Sequence, residues 1–317
     1  MFPQRPGHGC PPSKDADPQV TMRGKFDRVC RRSLSPVRKP LFLILVLSVL
    51  AYLADLRTHV LRGIAMPDQP LALMGALIGM VLAFRTNLAY ARWWEARVLW
   101  SQLVSASRTW LRQVKSFLAM ADPQSGESAQ KELILLQVAF VRALRTELNG
   151  GTESTEMLPF LPSPELREKL AGEPKPTCFL LSHMSRRISE NCAQETISGP
   201  QFLALDRTLT RMEDVQGGCE RIQNTPFPRQ YDRFLELLTY TYSFLLPFGI
   251  ADETGAWGVV ISPFVALILL MLNQIGRNLE NPFEDNLDSI PLAALSDNLE
   301  RELLHAFENP AATRQTT

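Results

Sequence analysis

Apolar residues in this chain gather into four uncharged runs: Pro40–Ala54 (PLFLILVLSVLAYLA), Gln69–Phe84 (QPLALMGALIGMVLAF), Leu237–Ala251 (LLTYTYSFLLPFGIA) and Thr254–Gly276 (TGAWGVVISPFVALILLMLNQIG). A helix needs about 20 apolar residues to cross a bilayer. The fourth run reaches that unaided. The other three are shorter, but each is flanked by charge, and Lys and Arg stems can lie along the lipid with their heads in water. The pattern predicts four membrane helices, over about 38–56, 69–92, 232–251 and 255–277.

Between the second and third runs the pattern stays helical while becoming polar. Residues 85–120 extend the second helix without a proline, and 128–148 (SAQKELILLQVAFVRALRTEL) repeat apolar side chains at helical spacing. Residues 149–177 carry Gly150, Gly151 and several prolines, which predicts a loop with a short helix near Glu165–Leu170. Residues 199–223 read as another amphipathic helix. Strand-like alternation and internal repeats are absent from the sequence, so the expected fold class is all-α, with a helical region over 93–230 outside the membrane. Pro3, Pro6, Pro11, Pro12 and Pro18 mark residues 1–22 as a disordered tail. A second tail is expected over 301–317.

Charge sets the orientation. Arg23, Lys25, Arg28, Arg31, Arg32, Arg38 and Lys39 precede the first run, and Arg85, Arg92, Arg97, Arg108 and Arg112 follow the second. The intervening connections are short and acidic or balanced, with Asp55 and Asp68 in one and Asp252 and Glu253 in the other. Lys and Arg remain on the cytoplasmic side, so both termini and the large middle segment are expected there. Over the whole chain 33 basic residues balance 33 acidic ones, which argues against a nucleic-acid partner. Five cysteines, widely spaced and without a CxxC pair, are expected to be reduced thiols and mostly small buried residues. No P-loop, GxGxxG, HExxH or GxSxG is present, and the histidines lie far apart. An enzyme is disfavoured, and no cofactor is implied.

The densest motif is FRTNLAYARWWEAR, Phe84 to Arg97. A helix leaving lipid for water places aromatic and Arg side chains at the interface, where Arg92, Trp93 and Trp94 fit. Trp93 and Arg97 are one turn apart, the spacing of a cation–π contact, and Arg92 and Glu95 can pair at i, i+3. Two further runs stand out: GGCERIQNTPFPRQY at 217–231 and LENPFEDNLDSIPL at 279–292. Pro226 and Pro228 end one segment and open the third membrane helix. Pro247 and Pro263 fall inside the third and fourth runs.

These three motifs, in this order and interleaved with the four apolar runs, resemble the bestrophin family, specifically its bacterial branch, over roughly residues 25–300. The resemblance implies one domain over 23–300 that forms a homopentameric channel of the bacterial inner membrane, with inorganic ions and membrane lipid as its other partners. It also implies that five copies of the second helix line the pathway. On that helix Ala76, Met80 and Phe84 recur every four residues and align with the family's pore neck. Stacked apolar rings can gate by dewetting. Ala76 departs from the usual bulky pattern and would make the outer ring wider. Leu73 and Leu77 form a competing face. Gly75 and Gly79 form a small-xxx-small pair suited to close helix contact.

Leu203 aligns with a second, cytosolic aperture, or else is a core leucine of an amphipathic helix. Around Asn281, Pro282 and Phe283 the family's eukaryotic members bind calcium through a dense acidic cluster. Here only Glu284, Asp285 and Asp288 are available, with Asn286 and Ser289 where carboxylates would stand. Calcium takes six to eight oxygens, so a capped loop closing on Pro291 is the expectation. The implied activity is passive anion conduction, chloride first. Cation preference, or a non-conducting membrane scaffold, remains open at this point.

Overall fold

A computed structural model of the chain describes residues 37–54, 56, 68–118, 123–151, 155–284, 286 and 288–308. Every regular element among them is helical. In chain order these are α1 (Val37–Ala54), α2 (Asp68–Leu118), α3 (Pro123–Leu148), α4 (Pro164–Ala171), α5 (Pro176–Ala193), α6 (Gly199–Asn224), α7 (Arg229–Thr254), α8 (Gly258–Glu280) and α9 (Leu292–Glu308). Short 3-10 turns at Thr155–Phe160 and Gly255–Trp257 precede α4 and α8. The chain divides into two units: one holds α1, α2 as far as Gly79, and Leu237–Gln274; the other holds Met80–Glu236 and the residues from Ile275 on.

Helix boundaries follow local chemistry. Pro70 sits in the first turn of α2 and no proline follows until Pro123, so nothing interrupts the ladder over 51 residues. The end of α3 is set by Gly150, at φ 73°, which lets the Gly151 N–H reach back to the Thr146 carbonyl at 2.9 Å. Ser163 caps α4 by accepting from the Leu166 N–H at 3.2 Å, with Pro164 in the first turn. At the start of α6 the Gln201 side chain accepts from the Ser198 backbone N–H at 2.8 Å.

Two helices were not anticipated. In α5 the buried residues Leu180, Met184 and Ile188 recur every four positions, a short apolar stripe diluted by Ser, His and Arg. In α9 Leu292, Ser296, Leu299 and Leu303 are buried. The expected tail from 301 is therefore corrected: its first turns are helix, fixed by Leu303, and the residues beyond Glu308, like residues 1–22, lie outside those described. Of the cysteines described only Cys219 is buried, and burial pushes its thiol up to about 12. Cys178, on the outer side of the first turn of α5, is exposed, which corrects the expectation that the cysteines are mostly buried.

In the first unit Val37 and Ile44 of α1 pack with Ala266 and Leu270 of α8, joined at the edge by Tyr240 and Phe244 of α7. A Cβ at Gly75 would collide with the Tyr242 ring, so α2 and α7 touch closely there; Gly79 has open space around it. Only the first half of the expected glycine pair thus serves close contact within its own unit. Many large apolar side chains of this unit stay exposed, among them Phe42, Leu43, Leu50, Leu73, Leu77, Val260 and Phe264. So much exposed hydrocarbon needs a lipid or protein cover. Among the described residues three helical stretches are long and apolar enough to cross a membrane: Val37–Ala54, Pro70–Leu118 and Gly255–Glu280. The third expected crossing lies within α7, which is not one of them; the side chains at 251–253, at its end, lie outside those described.

The second unit has a conventional core. Trp100, Leu103, Trp110, Phe140 and Leu144 from α2 and α3 are fully buried with Leu180, Met184, Leu205 and Met212 from α5 and α6. Gln137 donates to Ser107 at 2.8 Å inside that core, and Ser107 donates on to the Leu103 carbonyl at 2.8 Å. Around it Arg142 donates to Glu300 at 2.8 Å, and Arg145 pairs with Glu156 and donates to Ser296 at 2.9 Å. These contacts tie α9 and the 3-10 turn to α3.

Truncating Phe140 to Ala should cost about 3–5 kcal/mol, the range for a buried aromatic that leaves a cavity, read as a fall in the thermal unfolding midpoint of the detergent-solubilised protein. Glu147 gives a second expectation. Its carboxylate caps α5, accepting from the Thr177 N–H at 3.1 Å and the Thr177 hydroxyl at 2.8 Å, yet burial outweighs these bonds and holds its pKa above the ordinary value. The folded state therefore keeps a proton that the unfolded chain has already released. This contribution to stability falls as pH rises from the ordinary carboxylate range through the folded value. Glu147→Gln should flatten that decline in unfolding midpoints measured between about pH 4 and 7.

Candidate functional site

The exposed side of α2 changes character along its length. In the first unit Leu73, Ala76 and Leu77 are exposed while Leu71 and Ile78 are buried. In the second unit Met80 (57 % exposed), Phe84 (62 %) and Leu88 face outward while Leu82, Arg85 and Ala89 face in. Farther along, the exposed side becomes polar: Ser101, Gln102, Ser105 and Thr109, with Arg211 and Asp214 of α6, line a groove of about 480 Å³. Ser105 donates to the Ser101 carbonyl at 3.1 Å and Thr109 to the Ser105 carbonyl at 3.0 Å, so both hydroxyl protons are taken up by the helix itself. Both the Ala76–Met80–Phe84 register and the competing Leu73–Leu77 face are exposed. This groove, which Val98, Ala106 and Val215 also line, was not anticipated.

Just below Phe84 on the helix, Arg85 is only 2 % exposed. Its guanidinium pairs with Asp232 of α7 and, at 3.3 Å, with Glu280 of α8. Nearby, Arg277 of α8 donates to Glu236 of α7 at 3.1 Å. A buried cation is tolerated only with its charge matched and its donors occupied, so three helices of the second unit are fastened at one point. Reading the sequence counted Arg85 merely as a flanking charge. The available signal was an Arg ending one apolar run, with carboxylates flanking the next two.

The RWWE motif is built differently from its expected pairings. Arg92 turns both terminal nitrogens to the carbonyls of Ile222 and Thr225, at the end of α6. Those carbonyls have no helical N–H to accept from, and a guanidinium fork suits them. Glu95 pairs instead with Arg221 on the same helix end. Trp93 stacks on Tyr90 with ring centroids 5.9 Å apart, rather than on Arg97, and its indole N–H donates to the Asp288 carbonyl at 2.8 Å. Trp94 remains exposed beside Tyr90. Pro226 and Pro228 are exposed in the short link between α6 and α7.

Trp93 thus holds the segment after α8. Phe283 is buried in the core of the second unit and Pro282 beside it is also buried, while Asn281 is half-buried and donates to Glu284 at 3.0 Å. Asn286 closes the loop: its amide nitrogen donates to the carbonyls of Asn278 and Asn281, both at 3.1 Å, and its oxygen accepts from the Asp288 N–H at 3.1 Å. The Asp288 carboxylate accepts from Asn278 at 3.0 Å. Asp285 lies outside the described residues. Among those described, no group of three or more His, Cys, Asp or Glu side chains is arranged to hold a metal ion. Leu203, near the start of α6, is 47 % exposed while Leu205 is fully buried; it stands on the outer side of the helix and not in the core.

Comparison with known proteins agrees with this layout. The profile of the bacterial/fungal bestrophin proteins matches residues 27–305. A protein of Salmonella typhi named voltage-dependent anion channel-forming protein YneE is 31 % identical over 271 residues, covering 86 % of each chain. Its Escherichia coli K12 counterpart is 30 % identical over 272 residues, with the same coverage. The crystal structure of a bacterial bestrophin homologue from Klebsiella pneumoniae superposes with a TM-score of 0.80 at 27 % identity, over 86 % of this chain and 98 % of that one. With the family profile spanning both units and the RWW, NTPFP and NPF motifs all inside the matched region, the chain belongs to the bestrophin family, in its bacterial and fungal branch.

Proposed function

We propose that this chain is a passive, anion-conducting channel that works as a ring of five copies in the bacterial inner membrane. The observation that carries this reading is the pair Met80 and Phe84, large apolar side chains on one face of a helix that its own unit leaves uncovered. Similarity to proteins named as anion channel-forming supports the same reading. In the ring, α2 from each copy faces the axis, and Ala76, Met80 and Phe84 form three levels spanning roughly 12 Å at 1.5 Å per residue. An ion passing there sheds hydration with no polar group in return, so the neck closes by dewetting when narrow and conducts when widened. Ala76 makes the outermost level the widest.

The four crossings lie over about 38–56, 69–92, 232–251 and 255–277. The third is the most polar of them and runs beside the other helices rather than against lipid alone. Residues 93–230 form a vestibule on the cytoplasmic side, as do both termini by the distribution of Lys and Arg. Leu203 narrows the vestibule at its far end. Arg85 locks the base of the neck helix against α7 and α8, while Arg92, Trp93 and Glu95 fix the start of the vestibule wall. The segment around Asn281, Pro282 and Phe283 packs beneath the fourth crossing as a structural brace, Glu284, Asp285 and Asp288 being too few carboxylates for a tight calcium site.

Purified protein in liposomes under a salt gradient is expected to give a reversal potential of the sign set by chloride. The opposite sign assigns the pathway to cations, and absence of flux assigns the protein to a scaffold role. Met80→Ala and Phe84→Ala should raise the flux; a tenfold rise corresponds to about 1.4 kcal/mol off the barrier. The same substitution at the outward-facing Val260, away from the neck, should leave it unchanged.

A further inference from the structure

Within the first unit a groove of about 730 Å³ runs along α1, lined by Arg38, Lys39, Leu41, Phe42, Leu45 and Pro263. Arg38, Leu41, Phe42 and Leu45 follow the i, i+3, i+4, i+7 spacing and so share one side of the helix. Phe42 is 68 % and Leu45 42 % exposed, although the opposite side of α1 is already packed through Ile44 on Ala266 and Leu270. The lining is chemically divided. Two exposed cations stand at the N-terminal end, and the following two turns, about 10 Å of helix, offer only hydrocarbon. Neither Arg38 nor Lys39 has a carboxylate partner among the described residues.

That division selects the occupant. A free phosphate would satisfy the cations and leave the hydrocarbon half bare. A zwitterionic lipid would cover the hydrocarbon and bring no net charge to the cations. We propose that the groove is a binding site for an anionic phospholipid, its phosphate at Arg38 and Lys39 and the first part of an acyl chain along Leu41, Phe42, Leu45 and the ring of Pro263. The proposal rests on the membrane-crossing reading of α1. Juxtamembrane Lys and Arg attract anionic headgroups, and buried acyl carbons add to the affinity.

The test is native mass spectrometry of the full chain, solubilised in nonionic detergent with equal amounts of phosphatidylglycerol and phosphatidylcholine. The wild type should retain phosphatidylglycerol in excess. Arg38→Gln and Lys39→Gln, both at exposed positions, should each lower that preference about five-fold and together about 25-fold. Leu45→Trp, which fills the hydrocarbon half, should weaken retention of both lipids alike. Wild-type preference in the double variant overturns the proposal, and so does equal retention of the two lipids by the wild type. Displacement by glycerol 3-phosphate alone overturns it as well. A preference that emerges only after residues 1–36 are removed puts the chain's own leading segment in the groove and likewise ends the proposal. The readout is lipid retention and not ion flux: conduction without lipid preference defeats this site alone, and lipid preference without conduction defeats the channel reading alone.

Discussion

One buried cation organises the part of the second unit where the apolar runs give way to charge. Arg85 sits among α2, α7 and α8 with Asp232 and Glu280 as its counter-charges. Hydrophobic contact does not fix register, since one oily residue replaces another at small cost when volume is kept. A guanidinium with two carboxylates is not so permissive: its donors point in fixed directions, and moving one partner leaves charge buried and unmatched. The rotation of α2 about its own axis is thereby determined, and it leaves Met80, Phe84 and Leu88 outward. What the helix exposes follows from what it is forced to bury.

The same logic governs the far end of α6. Its last carbonyls are satisfied by Arg92 from α2 rather than by solvent, and Arg221 beside them is matched by Glu95. Trp93, between the two, reaches the other way to the Asp288 carbonyl. Four consecutive residues of one motif thus serve a helix end, a loop and an exposed aromatic surface at Trp94. Their side chains alternate in direction around the helix, so the motif's density reflects several neighbours and not a single shared site.

Helices with long apolar runs or an even stripe could be read directly from the sequence, as with α2, α3 and α6. Periodicity is a local property and needs no knowledge of partners. α5 and α9 escaped because their stripes are brief and interrupted by charge, and a stripe such as Leu292, Ser296, Leu299 and Leu303 becomes convincing only with the surface it packs on. The partners of Arg92 were illegible for a different reason: backbone carbonyls carry no sequence signature. Arg97 and Glu95 were attractive as neighbours of Trp93 and Arg92 because they lie one turn away, yet orphaned carbonyls and Arg221 offered better-matched contacts. Leu203 could be placed on a helix, but which side it occupies depended on Leu205 filling the core.

The loop after α8 closes through Asn286, whose neutral amide both gives to two backbone oxygens and takes from a backbone nitrogen. An amide carries no proton to lose near neutrality and asks for no counter-ion. A carboxylate in that place would repel the two oxygens unless something positive came between them. The clasp is thus made by a side chain the chain carries itself, a neutral fastening that needs no charge brought in to balance it.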